Sequence, residues 1–194
     1  MQLLFSANNY IIKRKGISDN KFRICSPQGE LLFYVEEKIK WSGPYTVTIH
    51  FFTDEKKTQE LLHAQDGVHE GYANFLDVFD SVTGEKIGGV GSDWKNFFED
   101  AWEILDNKDV QVCNLREVST KRSILHELTN GLIPQKFIFL IDKESVGELR
   151  QKPVLIGAQL IVDFSKDPTQ RLDRRLGLAA AVVVAAHQAQ TDSD

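Results

Sequence analysis

The feature that most constrains the fold of this chain is one long apolar run near its carboxyl end. In the stretch RRLGLAAAVVVAAHQ (174–188), the segment from Leu176 to Ala186 contains no polar side chain. A helix needs about 20 apolar residues to span a bilayer, whereas runs of about 10–14 residues are more typical of a buried core helix. We therefore predict a helix that is buried in the protein and does not cross a membrane.

The start of this helix is predicted from a capping signal upstream of the run. Asp167 is a suitable N-cap residue, and Pro168 fits the first helical position, where no backbone N–H is needed. These signals predict a helix over about 167–188. Because its apolar residues leave no polar stripe, the helix must be enclosed on every side in a soluble protein.

Most of the remaining chain consists of strand–turn–strand patterns. β-rich segments flank turn sequences such as SPQG (26–29), and TVTIHFF (46–52) alternates apolar with polar residues. About ten to twelve strands are predicted, together with a short helix over 119–130. A sheet of this size can close around a helix that fills its interior, and closure removes the exposed edges. The predicted fold is mainly β: a closed antiparallel barrel of about twelve strands around a buried hydrophobic C-terminal helix.

Composition and charge limit the domain organisation and the partners. The 194 residues carry a net charge of −5 and contain no linker-like segment, which predicts a single domain over 1–194 without general affinity for nucleic acid. Cys25 and Cys113 lack the spacing of a disulfide framework or a zinc site. The basic residues near the N-terminus follow the apolar ones, the opposite of a secretory signal, and we expect a cytoplasmic protein.

Three stretches resemble a known family: VFDSVTGEKIGGV (78–90), WEILDNKD (102–109) and FSKDPTQRLDRRLGLAAAVVVAA (164–186). They are similar to the tubby-like superfamily, and in particular to its LURP-one-related and phospholipid-scramblase-like branch. The resemblance implies a twelve-stranded barrel around the C-terminal helix. It also suggests two functions: phosphoinositide binding by basic residues, as in tubby proteins, and calcium-linked lipid movement, as in scramblases. However, Asp163, Asp167 and Asp173 do not have the spacing of a calcium loop, and there is no cysteine-rich palmitoylation cluster.

The strongest local concentration of positive charge lies in the first predicted hairpin. Lys13, Arg14 and Lys15 end one strand, and Lys21 and Arg23 lie on the next. If these strands pair, their cations gather at one end and favour a phosphorylated headgroup. The alternative is a solvated turn with ordinary lysines. None of these residues is aligned with a phosphoinositide ligand of the tubby proteins.

A second basic group, Arg171, Arg174 and Arg175, is predicted in the first two turns of the C-terminal helix. Cations are unfavourable there because they do not complement the helix dipole. We expect carboxylates at the barrel rim, such as Asp173, to compensate them. The alternative is a secondary basic rim that binds an anion.

Other chemical motifs are weak. Glycines 84, 88, 89 and 91 lie on a predicted hairpin, where turns and tight curvature explain them better than a phosphate cradle does. The five histidines lack metal-ligand spacing, although a general base at His69 stays open. We expect no catalytic residue, no metal site and no cofactor.

These patterns favour a non-enzymatic binding module that recognises anionic phospholipid or phosphoinositide headgroups peripherally at a membrane surface. The main alternative is a protein–protein interaction scaffold with an unknown partner. Scramblase-type activity and a pocket-based enzyme are less favoured. The segment SDWKNFFED (92–100) places Trp94, Phe97 and Phe98 among charges. It is interpreted either as a flap over one barrel mouth or as an aromatic anchor for a partner or membrane.

Overall fold

The computed structural model describes residues 2–14, 20–40, 46–93, 101–118, 135–152 and 159–191. Twelve antiparallel strands form a closed barrel in which sequential strands are neighbours and β1 pairs with β12. The prediction of a closed antiparallel barrel is therefore confirmed. A 3₁₀ turn, Gln2–Phe5, precedes the strands β1 Asn9–Arg14, β2 Lys21–Cys25, β3 Leu31–Lys40, β4 Thr46–Phe52, β5 Glu60–Asp66, β6 Tyr72–Asp80, β7 Lys86–Asp93, β8 Ala101–Asp106, β9 Gln111–Glu117, β10 Lys136–Ile141, β11 Glu144–Lys152 and β12 Gln159–Asp163.

Alternation of side chains along each strand separates the barrel interior from its outer face. In β4, Ile49 and Phe51 face the interior and are at most 1% exposed, while His50 between them is partly exposed. The tight turn that joins β2 to β3 depends on Gly29, whose φ of +92° suits glycine and whose N–H donates to the Ser26 carbonyl at 2.9 Å. The sequence pattern therefore places both the strands and the turn where the structure has them.

The barrel encloses the helix α1, Arg174–Thr191. Every residue from Leu176 to Ala186 that carries a side chain is buried, which confirms the predicted core position of the apolar run. The helix lies close to β7 because residue 88 is glycine. A Cβ there would lie 2.2 Å from the Leu105 carbonyl oxygen and 2.9 Å from Leu176 Cδ1. Alanine and valine make the helix slim enough for the remaining space.

The predicted start of the helix is wrong by about two turns. The helix begins at Arg174, not at Asp167. Gln170 adopts a φ of +55°, a left-handed conformation that a continuous helix does not allow. The residue that caps the helix is Asp173, whose Oδ1 accepts the Arg175 N–H at 2.9 Å. The Asp167 carboxylate instead holds the turn before the helix.

The helix gives the barrel two distinct ends. At the entry end, where α1 begins, lie Cys25, Phe52, Asp80, Asp106, Ile141 and Asp163. At the exit end, towards which α1 runs, lie Arg14, Lys40, Asp66, Asp93, Glu117 and Lys152.

Three predictions concern residues outside the described ranges: the helix over 119–130, the aromatic segment with Trp94, Phe97 and Phe98, and the position of Lys15. The assignment of 1–194 to a single domain also stays a prediction. Across the residues that the structure describes, no helix has the length and apolar character needed to cross a membrane.

Candidate functional site

The predicted basic hairpin forms, but its cations lie on two faces of the barrel. Lys13 and Arg23 are direct partners across β1 and β2, on the outer face. Arg14 follows Tyr10 and Ile12 on the inward-facing side of β1. Lys21 points outward beside Glu36. The structure thus brings Lys13 and Arg23 together and separates Arg14 from them.

Barrel closure extends this basic group across two further strands. Lys152 in β11 pairs with Gln159 in β12, and Gln159 pairs with Lys13 in β1. With Arg23 they form one outward-facing row, the basic row, of Lys152, Gln159, Lys13 and Arg23. Since neighbouring strands lie about 4.8 Å apart, the row extends over about 14 Å. It lies on the outer face towards the exit end.

The members of the basic row differ in how far their charge is already neutralised. Arg23 forms an ion pair with Glu55. Among the described residues, neither Lys13 nor Lys152 makes an ion pair with a carboxylate. The next outward-facing cations on β10 and β11 share the Glu148 carboxylate, at 2.8 Å from Lys136 Nζ and 2.7 Å from Arg150 Nε. Lys13 and Lys152 therefore carry most of the available positive charge of the row.

Arg174, the first residue of the C-terminal helix, is only 3% exposed, and both of its terminal nitrogens bond to the turn before it. Its Nη1 lies 2.8 Å from Asp167 Oδ2, and its Nη2 donates to the Asp167 carbonyl oxygen at 2.5 Å. Its guanidinium carbon lies 4.7 Å from the centre of the Phe164 ring. Although burial works against its charged form, N–H groups of Leu172 and Arg171 and the Arg174 guanidinium hold the pKa of the Asp167 carboxyl below its usual value.

The other two arginines at the entry end are also paired. Arg175 contacts Asp173 at 2.6 Å and Asp80 at 3.1 Å, so it joins the helix to the end of β6. Arg171 contacts Glu144 at 3.0 Å in an exposed pair. Carboxylates thus accompany each cation near the helix N-terminus, as the dipole argument predicts. An anion-binding role for these arginines stays a prediction.

His69 belongs to a cluster on the outer face of the barrel. Ligand atoms of His69, Asp77 and Asp109 all lie within 4.8 Å of one another. Lys86 Nζ lies between the carboxylates, 2.7 Å from Asp77 and 2.6 Å from Asp109. Although burial works against its charge, these hydrogen bonds hold the pKa of Lys86 above its usual value. The ammonium group thus occupies the place where a metal cation would bind, and the cluster is an ion-pair network.

A cavity of about 450 Å³ opens at the exit end between α1 and the strands β3 to β8. Val183, Ala186 and His187 line it from the helix, and the His187 ring lies 5.5 Å from that of Trp102. Its remaining lining residues are Glu37, Val47, Ile49, Asp66, Gly67, Asn74, Phe75, Leu76, Val90 and Trp102. The described wall has both apolar and polar side chains, and its acidic ones, Glu37 and Asp66, belong to β3 and β5.

Glu37 is the buried acidic group of this cavity. It is 8% exposed, and burial raises the pKa of its carboxyl, although the positive charge of Arg14 opposes the shift. Asp66 lies at the rim, where its Oδ2 accepts the Val47 N–H at 2.7 Å. The cavity therefore combines apolar surface with two carboxyl groups and the imidazole of His187.

The two cysteines are buried free thiols. Burial raises the pKa of Cys113 to about 12. A thiol with such a pKa is protonated at neutral pH and is a poor nucleophile.

Comparison with known proteins gives a structural neighbour but no sequence family. No family model and no curated protein matches the chain. An X-ray structure of a protein from Arabidopsis thaliana, AT5G01750, is similar with a TM-score of 0.51 and 13% sequence identity, over 94% of this chain and 90% of that chain. This similarity shows the fold alone. It extends over nearly the whole barrel and its helix.

Sequence reasoning missed Lys152, Glu37 and the cavity. Lys152 ends a predicted strand, but only the β11–β12–β1 register brings it beside Lys13. Glu37 is one of two adjacent glutamates, and alternation places one on each face of β3. A charged residue at an inward-facing position of a strand is the sequence signal that could have singled out Glu37, although not the cavity beside it.

Proposed function

We propose that this protein is a non-enzymatic binding module that recognises anionic phospholipid or phosphoinositide headgroups peripherally at a membrane surface. The proposal includes a cytoplasmic location and membership in the LURP-one-related branch of the tubby-like superfamily. The observation that carries it is the basic row, in which Lys13 and Lys152 face outward on neighbouring strands without an ion-pair partner among the described residues.

The positive charge of the basic row suits a phosphorylated surface. Lysine ammonium groups bind phosphate as point charges, and each contributes about 1 kcal/mol near an anionic membrane surface. Lys38 and Lys40, which are exposed on the outer face of β3 towards the same end, add positive charge to this side of the barrel. A local patch of this kind is required because the whole chain carries a net charge of −5.

The test is co-sedimentation with liposomes of phosphatidylcholine alone, with added phosphatidylserine, and with added phosphatidylinositol bisphosphate. The wild type is expected to bind the anionic vesicles, with binding that weakens as salt is added. Lys13→Ala combined with Lys152→Ala is expected to weaken binding roughly tenfold or more, because two phosphate contacts are lost.

The matched control removes the same charge at the entry end. Lys108→Ala combined with Lys166→Ala changes two exposed lysines and the net charge equally. Unchanged binding in this control, with loss in the first variant, supports the basic row. Equal losses in both variants mean that only net charge matters and contradict the proposal. Absence of binding to all vesicles, with salt-insensitive capture of a protein partner, favours the scaffold alternative.

A further inference from the structure

Two histidines lie opposite each other on the outer face of the barrel. His50 in β4 and His63 in β5 are direct partners in the antiparallel register. Side chains at such positions have Cβ atoms about 4.5–5.5 Å apart. Both residues are partly exposed, so ions in solution reach them. Spacing in the sequence does not reveal this pair, because only the β4–β5 register brings the two rings together.

The surroundings of His50 leave its Nε2 atom as the nitrogen that can bind a metal. Its Nδ1 lies 2.5 Å from Glu60 Oε1. Because a carboxylate only accepts hydrogen bonds, Nδ1 carries the proton and the lone pair of the neutral ring lies on Nε2. The Thr48 hydroxyl, 3.2 Å from Nε2, can donate to that lone pair. Metal-binding histidines in proteins commonly donate their other ring N–H to a carboxylate in this way.

A β-bulge places Glu60 on the same face as the two histidines. Strict alternation would turn Glu60 inward, because it lies three positions before His63. The pairing with β4 shifts just before Phe52, however, and leaves Leu61 as an extra residue in β5. Since a bulge re-aims the side chains beside it, Glu60 reaches the His50 ring from the outer face.

His63 also has its Nδ1 atom engaged. This atom lies 2.9 Å from the hydroxyl oxygen of Ser81, the residue that follows β6. The hydroxyl can accept a hydrogen bond from Nδ1–H, which leaves the lone pair on Nε2. Among the residues that the structure describes, no hydrogen-bond partner lies at the Nε2 atom of His63. Each ring therefore has one nitrogen that is oriented by an oxygen and one that is suited to a metal.

The distance between the rings determines how one ion can join them. Metal–imidazole bonds of about 2.0–2.1 Å place two ligating nitrogens at most about 4 Å apart. The ring centres of His50 and His63 are 6.4 Å apart, so the rings must tilt towards each other. The broad terminal torsion of histidine permits this tilt. It gives up part of the stacking of His63 on Phe79, whose ring centre lies 5.0 Å away, and this cost lowers the affinity.

We propose that His50 and His63 bind a divalent transition-metal ion, Cu²⁺, Ni²⁺ or Zn²⁺, through their Nε2 atoms and so join β4 to β5. Imidazole suits these ions, whereas Ca²⁺ and Mg²⁺ prefer oxygen ligands. Glu60 is a positioning residue that orients the His50 ring. The cluster around His69 differs, because the Lys86 ammonium group lies between its carboxylates. The inference does not depend on the proposed membrane function, since the pair lies on strands outside the basic row.

The first test uses the wild-type chain. Isothermal titration calorimetry with Zn²⁺ measures the affinity, and electron paramagnetic resonance at less than one equivalent of Cu²⁺ counts the nitrogen ligands. One ion is expected to bind per chain, with two imidazole nitrogens on Cu²⁺. Zn²⁺ is also expected to raise the midpoint of thermal unfolding, because it binds the folded barrel. A Cu²⁺ spectrum with a single nitrogen ligand, or no saturable binding at millimolar Zn²⁺, overturns the proposal.

Histidine variants locate the ion. His50→Gln and His63→Gln are each expected to weaken Zn²⁺ binding by at least the roughly tenfold that loss of a supporting partner costs at a metal site. The double variant is expected to bind no more weakly than either single variant, because each alone already breaks the chelate. His187→Gln removes an exposed histidine at the exit end and is the matched control. Unchanged affinity in either pair variant, or an equal loss in the control, contradicts the proposal.

Variants of Glu60 test its positioning role. Glu60→Ala is expected to weaken Zn²⁺ binding roughly tenfold. Glu60→Gln is expected to weaken it less, because the amide oxygen still accepts the hydrogen bond from His50 Nδ1–H. Equal losses in both variants mean that only the charge of Glu60 acts and contradict this role. Thermal unfolding with a chelator establishes that each variant is folded. Because vesicle binding is measured separately, failure of the metal site leaves the test of the basic row unaffected, and the reverse also holds.

Discussion

The two ends of the barrel use their charged residues in opposite ways. At the entry end, Arg174 and Arg175 are buried or half-buried, and each contacts at least one carboxylate. At the exit end, Lys13 and Lys152 face outward without ion pairs among the described residues, and Glu37 is buried beside a cavity. Charge at the entry end therefore fixes the helix, whereas Lys13 and Lys152 at the exit end have no carboxylate partner among the described residues.

The difference follows from the direction of the helix. The positive end of the α1 dipole lies at the entry end, and two arginines at its first positions oppose it. Such an arrangement is stable only with compensating anions, and Asp167, Asp173 and Asp80 provide them. These ion pairs therefore tie the start of α1 to the turn before it and to the end of β6.

The largest loss of stability is expected from Asp167→Ala. The change leaves Arg174 buried without its carboxylate and removes the acceptor of the Arg171 and Leu172 N–H groups. Removing one partner of a buried ion pair typically costs about 3–5 kcal/mol, and we expect the free energy of unfolding in urea to fall by this amount. Glu55→Ala, which breaks the exposed ion pair with Arg23, is the control and is expected to cost about 0–1 kcal/mol. Similar losses in both variants contradict a special role for the buried pair.

The second prediction is that the stability contributed by Asp167 at the entry end depends on pH. The pKa of Asp167 is lower in the folded chain than its usual value of about 3.9. The stability from its ionised form is therefore present above about pH 4 and is lost as the pH falls through the folded pKa. Asp167→Asn is expected to be less stable by about 1–3 kcal/mol at neutral pH, with a difference that shrinks in acid. A pH-independent difference between thermal unfolding curves at pH 2.5 to 7 contradicts this assignment.

The comparison also shows which parts of the molecule are predictable from the sequence. Burial of Leu176 to Ala186 follows from a local hydrophobic pattern, because a helix without a polar face has one stable environment in water. The helix start does not follow, since Asp167 and Asp173 are both good N-cap residues. What decides between them is the left-handed conformation of Gln170 and the contact of Asp167 with Arg174.

The positive charge of the basic row was predictable from the sequence, but the full set of residues that form it was not. Lys13 and Arg23 are close in sequence, and a hairpin brings them together. Lys152 joins them only because the barrel closes through β12. The cavity was not predictable, because it depends on where a slim helix lies inside the barrel. Contact of Leu176 with Gly88 places that helix near β7 and leaves space beside β3 to β6.

At the exit end, a smaller change is expected, and it raises the free energy of unfolding instead of lowering it. Since burial raises the pKa of Glu37, its ionised form costs more free energy in the folded chain than in the unfolded chain, and Glu37→Gln removes that charge. We expect the variant to be slightly more stable than the wild type at neutral pH, by less than about 1 kcal/mol. The gain is expected to disappear as the pH falls and the wild-type carboxyl becomes protonated.

The adjacent residue Glu36 is the control for the direction of this change in stability. Although burial works against its charge, Lys57, Tyr34 and Lys21 hold the pKa of Glu36 below its usual value. Glu36→Gln is therefore expected to lower the free energy of unfolding at neutral pH. Thermal unfolding of both variants measures the difference, and a shift in the same direction for both contradicts the assignment of opposite environments to the two faces of β3.

The smallest effect on stability is expected in the basic row. Lys13→Ala and Lys152→Ala remove exposed or half-exposed charges that make no ion pair among the described residues, so each is expected to change the free energy of unfolding by less than about 0.5 kcal/mol. Lys136→Ala, which leaves the Glu148 carboxylate paired with Arg150, is the matched variant and is expected to cost up to about 1 kcal/mol. Urea unfolding of all three measures this order. A loss above 1 kcal/mol in Lys13→Ala or Lys152→Ala indicates that the row stabilises the barrel, and the contrast between a structural entry end and a binding exit end then fails.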